Sequence, residues 1–570
     1  MTGLAARSRA HGGAAFAGPF SRAARRALPR RSDYAGLRRS WRGDLVAGLT
    51  VGVVALPLAL GFGVTSGLGA AAGLVTAIVA GVVAATFGGS SLQVSGPTGA
   101  MTVVLLPIVA AFGPAGVAVV AVMAGLMLVA LGLGGLGRLV AFVPWPVVEG
   151  FTVGIATVIA LQQVPSALGV SVPPGSGVPQ TAVHAVRQAV GDAGGTYRSI
   201  GLVLVVVVVM VGLPRVHRGL PASLVAVVLA TVVAGVGGFP VARIGGLPAG
   251  LPLPQLPHLD PGAVRSLLSS ALAVAALAAL ESLLSARVAD GMSDTRPTDS
   301  DRELVGQGLA NVASGFFGGM PATGAIARTA VNARAGARTR VAAITHAAVL
   351  VAVVYIAAPL VAQIPLAALA GVLLVTAYRM VEPTAVAAVM RSTRSDALVM
   401  AATAVATVAL DLVTAVEIGI AVAVVLTLRS VGRASTAQRE PLPAIEVDAD
   451  DEFAYLHDHI AVYRLDGAVF FGVAQKFLDE LTMVGDVRVV ILRLSSVSVL
   501  DATGAKALGQ IIDDLSRRGV TVLLKGAAPG QLELMRRVGA LDMLATQAHV
   551  FGDLESAVAH GRRHVARAVH

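Results

Sequence analysis

Between Leu45 and Gly137 the chain carries no aspartate, glutamate, lysine, arginine or histidine. At about 20 apolar residues per crossing, such a tract predicts several membrane helices in succession. It is interrupted at Ser95-Gly96-Pro97-Thr98-Gly99-Ala100, which reads as a helix start with Pro97 at the first helical position and Gly96 or Ser95 as cap. Pro321-Ala322-Thr323-Gly324-Ala325 repeats the pattern inside a second apolar stretch. Two helices are therefore expected to begin within the membrane. Each unpaired N–H group there costs several kcal/mol in lipid, so the arrangement is tolerable only where the helix starts line a cavity or hold a ligand. A helix N-terminus attracts anions, and the pair implies a carrier of a small anion.

Composition places most of the 570 residues in lipid, with 55% hydrophobic residues and a mean hydropathy of +0.78. There is no cysteine, and the eleven histidines contain no HExxH motif, so neither a metal centre nor a cofactor is expected. No nucleophile with a matching base and no phosphate loop stands out, which argues against an enzyme. The net charge of +10 owes much to ten arginines between Arg7 and Arg42. Without interleaved aromatics for stacking these do not read as a nucleic-acid surface. Residues 1–42 are expected to be a disordered basic cytoplasmic tail near anionic lipid headgroups, with no apolar run typical of a cleaved signal.

Fourteen spans are expected: 45–66, 68–87, 97–113, 115–136, 143–166, 199–214 and 220–239, then 264–286, 303–318, 322–333, 341–362, 365–381, 397–411 and 413–429. Seven plus seven implies an inverted repeat within a transmembrane domain covering 43–433. Arg138, Arg215, Arg218, Arg334, Arg338, Arg340, Arg391, Arg394, Arg429 and Arg433 all fall on one side of this arrangement, which places both termini in the cytoplasm. After Arg433 the apolar runs shorten to strand length. A linker at 434–450 is expected to lead to a small α/β domain at 451–560 and a basic tail at 561–570. Its expected strands are Ile460 to Arg464, Val469 to Phe471, Val487 to Leu494 and Val520 to Leu524, and its helices Ala474 to Met483, Thr503 to Arg518 and Gly530 to Val538.

The candidate anion-binding residues are those of the two helix starts: Gly96, Pro97, Thr98 and Gly99 in the first, Thr323, Gly324 and Ala325 in the second. Gly99 and Gly324 let backbone approach an ion closely, and the threonines add hydroxyl donors. Arg328, one turn further on, is expected to face the same cavity. Glu281 lies in the apolar run from Ala271 to Leu284, where a charge costs on the order of 2.5 to 3.5 kcal/mol, so it is read as functional. Ser285 shares its helix face at i+4. Glu281 and Ser285, with Gly324 nearby, would hold Na⁺, or Glu281 a proton. Two helix starts at roughly +0.5 each, together with Arg328, supply about +2, which ionised Glu281 lowers to about +1. A cation at Glu281 would then raise anion affinity, and the anion would raise cation affinity equally. Glu149 is expected to have a gating or solvated role, and Asp411 and Glu417 to be solvated at an outer turn.

These residues resemble the SulP-type inorganic anion permeases. The resemblance is carried by Asp44-Leu45-Val46-Ala47-Gly48-Leu49-Thr50 with Ala55-Leu56-Pro57, by Ser95-Gly96-Pro97-Thr98, and by the stretch from Leu280-Glu281-Ser282-Leu283-Leu284 through Glu303, Gln307 and Asn311 to Arg328-Thr329-Ala330-Val331-Asn332. It implies a plasma-membrane homodimer in which a core domain (spans 1–4 and 8–11) moves against a gate domain (5–7 and 12–14). It also implies that the C-terminal domain is a STAS domain, with Asp501-Ala502-Thr503-Gly504 at the place of a phosphorylated Asp-Ser-Ser-Gly turn; Thr503 is the regulatory candidate. The sequence resembles most the sodium-dependent bicarbonate branch, but has Ile326 where that branch has a threonine and Glu281 where it has an aspartate. The implied function is secondary transport of sulfate or bicarbonate with Na⁺ or H⁺. A dicarboxylate or nucleobase carrier on the same fold, or a membrane-anchored anion sensor acting through the STAS domain, stand as alternatives.

Overall fold

The computed structural model describes residues 28–567 apart from 35, 138–143, 172–176, 192, 218–219, 248–249, 258–260, 294, 411, 435, 441–458, 470–486 and 545. The chain forms two compact units, Met1–Ile420 and Ala421–His570. In chain order the first holds α1 (Leu37–Thr65), α2 (Ala70–Phe87), β1 (Ser95–Gly96), α3 (Gly99–Leu133), α4 (Trp145–Leu168), α5 (Val178–Gly191), α6 (Ala193–Val216), α7 (Ala222–Val236), α8 (Pro261–Met292), α9 (Ser300–Phe316), β2 (Thr323–Gly324), α10 (Ile326–Arg334), α11 (Val341–Val361), α12 (Leu366–Met380), α13 (Pro383–Ser392) and α14 (Arg394–Ala409). The boundary between the units falls within α15 (Leu412–Ala434).

Every expected span falls on one of these helices. The third and fourth share α3, which breaks at Gly113 (φ 65°, ψ −169°) because Pro114 after it has no N–H to continue the ladder. Eight stretches among the described residues are long and apolar enough to cross a bilayer. Faces such as Leu204, Val208 and Val211 on α6, and Val228, Val232 and Val236 on α7, stand exposed at helical spacing, as lipid contact requires. The short members are half-spanning: nine-residue α10 is about 14 Å long, against a hydrocarbon thickness of about 30 Å. Helices α5 and α13 were not expected, since their apolar residues alternate with polar ones and form no continuous run.

Two bundles make up the first unit. Helices α1, α2 and α3 pack with α8, α9, α10 and α11, while α4 packs on α12 and α14, and α6 on α7 and α12. This division follows the expected core and gate grouping, and the bundles meet where α4 touches α3 and where α7 and α12 touch α1. Helices α3 and α9 cross with their backbones in contact: a Cβ at Gly125 would lie 2.5 Å from the Gly308 carbonyl oxygen, and one at Gly308 the same distance from that of Gly125. Gly132 and Gly315, one heptad on, meet the facing backbone at 2.5 and 2.8 Å. Small residues at these positions let the backbones touch, which in lipid is the main source of helix association.

The expected tail and linker boundaries need correction. The described part of 1–42 is ordered from Arg31: residues Arg31–Tyr34 form a 3₁₀ turn and α1 begins at Leu37. Asp33 is held by a two-pronged pair with Arg302 of α9 (2.9 and 2.7 Å). Asp44 accepts from the N–H groups of Arg338 and Thr339. In the second unit, β3 (Thr436–Glu440) lies inside the expected linker and pairs antiparallel with β4 (Ile460–Val469). β5 (Val489–Arg493), β6 (Val497–Leu500), α16 (Ala502–Arg517), β7 (Thr521–Lys525), α17 (Pro529–Arg537), β8 (Val550–Phe551) and α18 (Leu554–Arg567) follow, with strand order β3-β4-β5-β7-β8 and β6 beside β4. The first two expected strands are one, β4, and the expected helix Ala474 to Met483 lies outside the described residues. Period-two alternation sends Val490 and Leu492 to the side of α16 and α17, and Val489 and Ile491 to α18. Residues 561–567 are thus no tail: Gly561 and Val565 are buried against the sheet.

Replacing Gly308 by valine is expected to cost about 1–3 kcal/mol through overpacking against α3, seen as a lower apparent melting temperature in detergent. Gly201→Ala, where a Cβ meets nothing within 4 Å, is expected to melt with the parent protein. Equal melting of the two variants would contradict the close crossing.

Candidate functional site

β1 and β2 are two residues each and pair antiparallel, Ser95 opposite Gly324 and Gly96 opposite Thr323. Each leads at once into a helix, so the starts of α3 and α10 meet at the crossing. The expected helix starts shift slightly. Thr98, not Gly96 or Ser95, is the N-cap of α3, and Pro97 precedes the cap rather than opening the helix, because Ser95 and Gly96 are committed to the strand. Ala325 caps α10, so Thr323 and Gly324 lie in the strand ahead of it.

The first intrahelical bonds run from Thr102 N to Thr98 O and from Thr329 N to Ala325 O. The N–H groups of Gly99, Ala100 and Met101, and of Ile326, Ala327 and Arg328, therefore precede the ladders of their helices. Neither helix receives a side-chain cap. Thr98 gives its hydroxyl instead to Glu281 Oε2 on α8 (2.9 Å), and Thr323 donates to the same oxygen (2.7 Å). The two hydroxyl oxygens are 3.3 Å apart. One carboxylate thus sits across both helix starts, where the peptide dipoles favour negative charge.

Arg328 reaches the crossing from α10. Its Nη2 donates to the Pro97 carbonyl, its Nη1 has no partner, and the side chain is 2% exposed. Gly96 makes room for it, since a Cβ there would lie 2.7 Å from Nη1. Gly324 does the same for Gln93, whose Nε2 would lie 1.8 Å from an added Cβ and whose amide is buried without a hydrogen bond. At Gly99 the neighbour is apolar: Ile159 Cδ1 of α4 would lie 2.1 Å from a Cβ. Gln162, one turn along α4, accepts from Thr102 Oγ1 (3.3 Å) and keeps its own NH₂ group unpartnered.

The crossing is braced from behind by one face of α9. Glu303, Gln307, Asn311 and Ser314 follow at steps of four, four and three, so they line up along that face. Glu303 accepts from the N–H groups of Gly89 and Ser90 (2.8 and 2.9 Å) and from Gln307. Gln307 donates to Ser95 Oγ (2.5 Å). Asn311 clasps Ala322 through both its amide atoms (2.9 Å each), and Ser314 donates to the Met320 carbonyl. These side chains do for two-residue strands what neighbouring strands do in a sheet.

The structure therefore brings Gly96, Pro97, Thr98, Gly99, Thr323, Gly324, Ala325, Arg328 and Glu281 to one place. Ser285 is turned elsewhere: it donates to Thr329 Oγ1 (3.0 Å), which also accepts from Val94 N. The serine of α8 that meets the crossing is Ser282, whose hydroxyl accepts from Gly324 N (2.9 Å). Sequence reasoning gave no role to Ser282, Gln93 or Gln162; isolated polar residues in apolar spans were the available signal. Glu149 accepts from the Trp145 indole (2.9 Å), away from the crossing on the first turn of α4, and Glu417 is exposed. Asp411 lies outside the described residues. Thr503 stands exposed in the first turn of α16, whose cap is Asp501 accepting from Gly504 N (2.7 Å).

Residues 41–403 match the sulfate permease family and residues 454–557 the STAS domain. The putative sulfate transporter YvdB of Bacillus subtilis is 34% identical over 519 residues, covering 89% of this chain and 95% of that protein. The bicarbonate transporter BicA of Synechocystis is 35% identical over 511 residues, covering 86% of this chain and 89% of its own. Among solved structures, the transmembrane domain of a cyanobacterial BicA matches 66% of this chain and 98% of its own at 36% identity, with a TM-score of 0.61. Murine Slc26a9 in its inward-facing state matches 98% and 97% at 18% identity and a TM-score of 0.83, which is a likeness of fold. The chain is an integral membrane protein of the sulfate permease family carrying a C-terminal STAS domain.

Proposed function

We propose that the protein is a secondary transporter of a small inorganic anion, sulfate or bicarbonate, coupled to Na⁺ or H⁺ at Glu281. The observation that carries this reading is the convergence of two uncapped helix starts, Arg328 and a single carboxylate at one crossing inside the transmembrane unit. The helix N–H groups and the unpartnered Nη1 of Arg328 are donors without acceptors of their own. An oxyanion beside Glu281 supplies those acceptors. Relatives named as sulfate and bicarbonate transporters support the choice of cargo.

Glu281 provides the coupling. While ionised and unmatched it repels an anion at the same helix starts, and a bound proton or Na⁺ removes that repulsion. The threonine hydroxyls that were read as anion donors serve the carboxylate in this state; their bonds to Oε2 set where the cation charge is felt. Ser282 replaces Ser285 as the serine of α8 that meets the crossing, through Gly324 N.

Movement follows from the two-bundle architecture. The crossing belongs to the bundle of α1–α3 and α8–α11, and its cover, Ile159 and Gln162, to the other. An elevator-like displacement of the first bundle along α4 would carry the crossing from one side of the membrane to the other and break the Thr102–Gln162 contact on the way. The antiparallel meeting of β1 and β2, each feeding a helix, supports the seven-plus-seven inverted repeat. Arginines at the expected cytoplasmic turns and the family resemblance support a plasma-membrane homodimer with cytoplasmic termini. Phosphate on exposed Thr503 would sit favourably at the N-terminus of α16, which keeps that residue as the regulatory candidate.

Uptake of radiolabelled sulfate and of bicarbonate into proteoliposomes, with Na⁺ and pH gradients imposed separately, tests the reading. One of the two anions is expected to accumulate under one of the gradients, and absence of uptake for both would overturn it. In Glu281→Gln, uptake down the anion's own gradient is expected to persist while the response to the cation gradient disappears. An unchanged gradient response would remove Glu281 as the coupling residue.

Arg328→Gln is expected to raise the half-saturating anion concentration roughly 10- to 100-fold, the equivalent of one lost charge-assisted hydrogen bond at about 1.5–3 kcal/mol. The comparison with Glu281→Gln separates the two roles, since only the arginine variant should weaken anion binding at saturating cation. An unaltered half-saturating concentration would place the anion elsewhere.

A further inference from the structure

In the second unit three histidines meet. His549 ends the 3₁₀ turn Gln547–His549 just before β8, and His560 and His564 stand four apart on α18. One ring nitrogen from each lies within 4.8 Å of the other two. The Nε2 atoms of His560 and His564 are 3.2 Å apart. Two imidazole nitrogens bound at about 2.0–2.1 Å around a tetrahedral ion are separated by ~3.3 Å, so this pair already has the spacing of metal ligands.

The third ring is placed from the other side. His549 is 2% exposed, and its Nδ1 has no hydrogen-bond partner. A buried ring nitrogen left unpaired is costly unless something supplies its bond.

We propose that His549, His560 and His564 form a three-histidine site for a divalent transition-metal ion such as Zn²⁺, with water in the fourth position. Imidazole donors and the nearby arginines disfavour Ca²⁺ and Mg²⁺, which require oxygen ligands. Binding at Nε2 of His560 puts its proton on Nδ1, so Arg563, which lies 3.3 Å from Nδ1, turns away into solvent, where its side chain already stands exposed. The ion ties the turn before β8 to α18. The sequence carried the i, i+4 spacing of His560 and His564, but not the arrival of His549 from a separate turn.

Ala557, Val558, Gly561 and Val565 set the register of α18 against the sheet, so the helix does not depend on the two histidines for its packing. Tag-free full-length protein, stripped with chelator, is titrated with Co²⁺. One ion per chain is expected, with the intense visible absorption of tetrahedral Co²⁺, displaced by Zn²⁺. His564→Ala and His560→Gln are expected to lose that absorption, and His184→Ala, exposed on α5, to keep it. Zn²⁺ is expected to raise the melting temperature of the parent protein but not of the His560 and His564 variants, which melt with the stripped parent when metal is absent. No tetrahedral absorption, or the same absorption in the His560 and His564 variants, would overturn the site.

Discussion

The crossing of Ser95–Gly96 with Thr323–Gly324 is the constraint on which the transmembrane unit depends. Extended backbone inside a bilayer leaves N–H and C=O groups that neither lipid nor a helix can satisfy. Two residues pairing with two cannot hold themselves, since even a longer isolated hairpin is marginal in water. The polar face of α9 supplies the missing support: Asn311 closes on Ala322, Gln307 on Ser95, and Glu303 on the turn at Gly89 and Ser90. That face explains why a helix with glutamate, glutamine and asparagine is buried among apolar neighbours. It also explains the glycines of α3 and α9, because only a backbone-to-backbone approach brings the braces within reach of the strands.

With the strands fixed, the electrostatics of the site follow. Two helix dipoles point at one spot, and a guanidinium reaches it through the gap left by Gly96. The opposite charge is a single carboxylate held by two hydroxyls from the two halves of the chain. On the proposed reading an anion and Glu281 compete for the same positive field, so that protonation or cation occupancy of the carboxylate governs the affinity for the anion. On that reading two helix starts and Arg328 without an acid would hold an anion regardless of any gradient, and Glu281 makes the site respond to one.

Much of this was legible in the sequence, and the reasons differ by element. Continuous apolar runs revealed the long membrane helices, because lipid on one side and packed apolar neighbours on the other leave little periodicity to misread. The half-helices were legible for a different reason: Gly-Pro-Thr-Gly and Ala-Thr-Gly-Ala interrupt those runs where a crossing has no need of a break. What the letters lacked was the pairing between them. The starts were placed two to four residues early, because a strand of two residues leaves no periodic trace and its side chains look like caps. Ser285 was chosen by helix-face arithmetic, but α10 approaches that face and engages the serine through Thr329, leaving Ser282 to meet Gly324. Gln93 and Gln162 became visible only through the glycine and threonine that face them.

The same limit accounts for the soluble unit. Alternation in β4, β5 and β7 announced a sheet, and Gly561 and Val565 extend its core into a stretch that composition alone marks as a basic tail. Packing those two residues inward leaves His560 and His564 on the adjoining flank of α18, side by side because the helix turns by one repeat between them. A turn forty-five residues beyond the start of α16 then delivers His549 to that flank because β8 must pair with β7. Three ligand-type side chains meet here as a consequence of sheet closure. Cores of this kind can generate a site whose members no spacing rule connects, since the register of the strand and that of the helix are each set by burial.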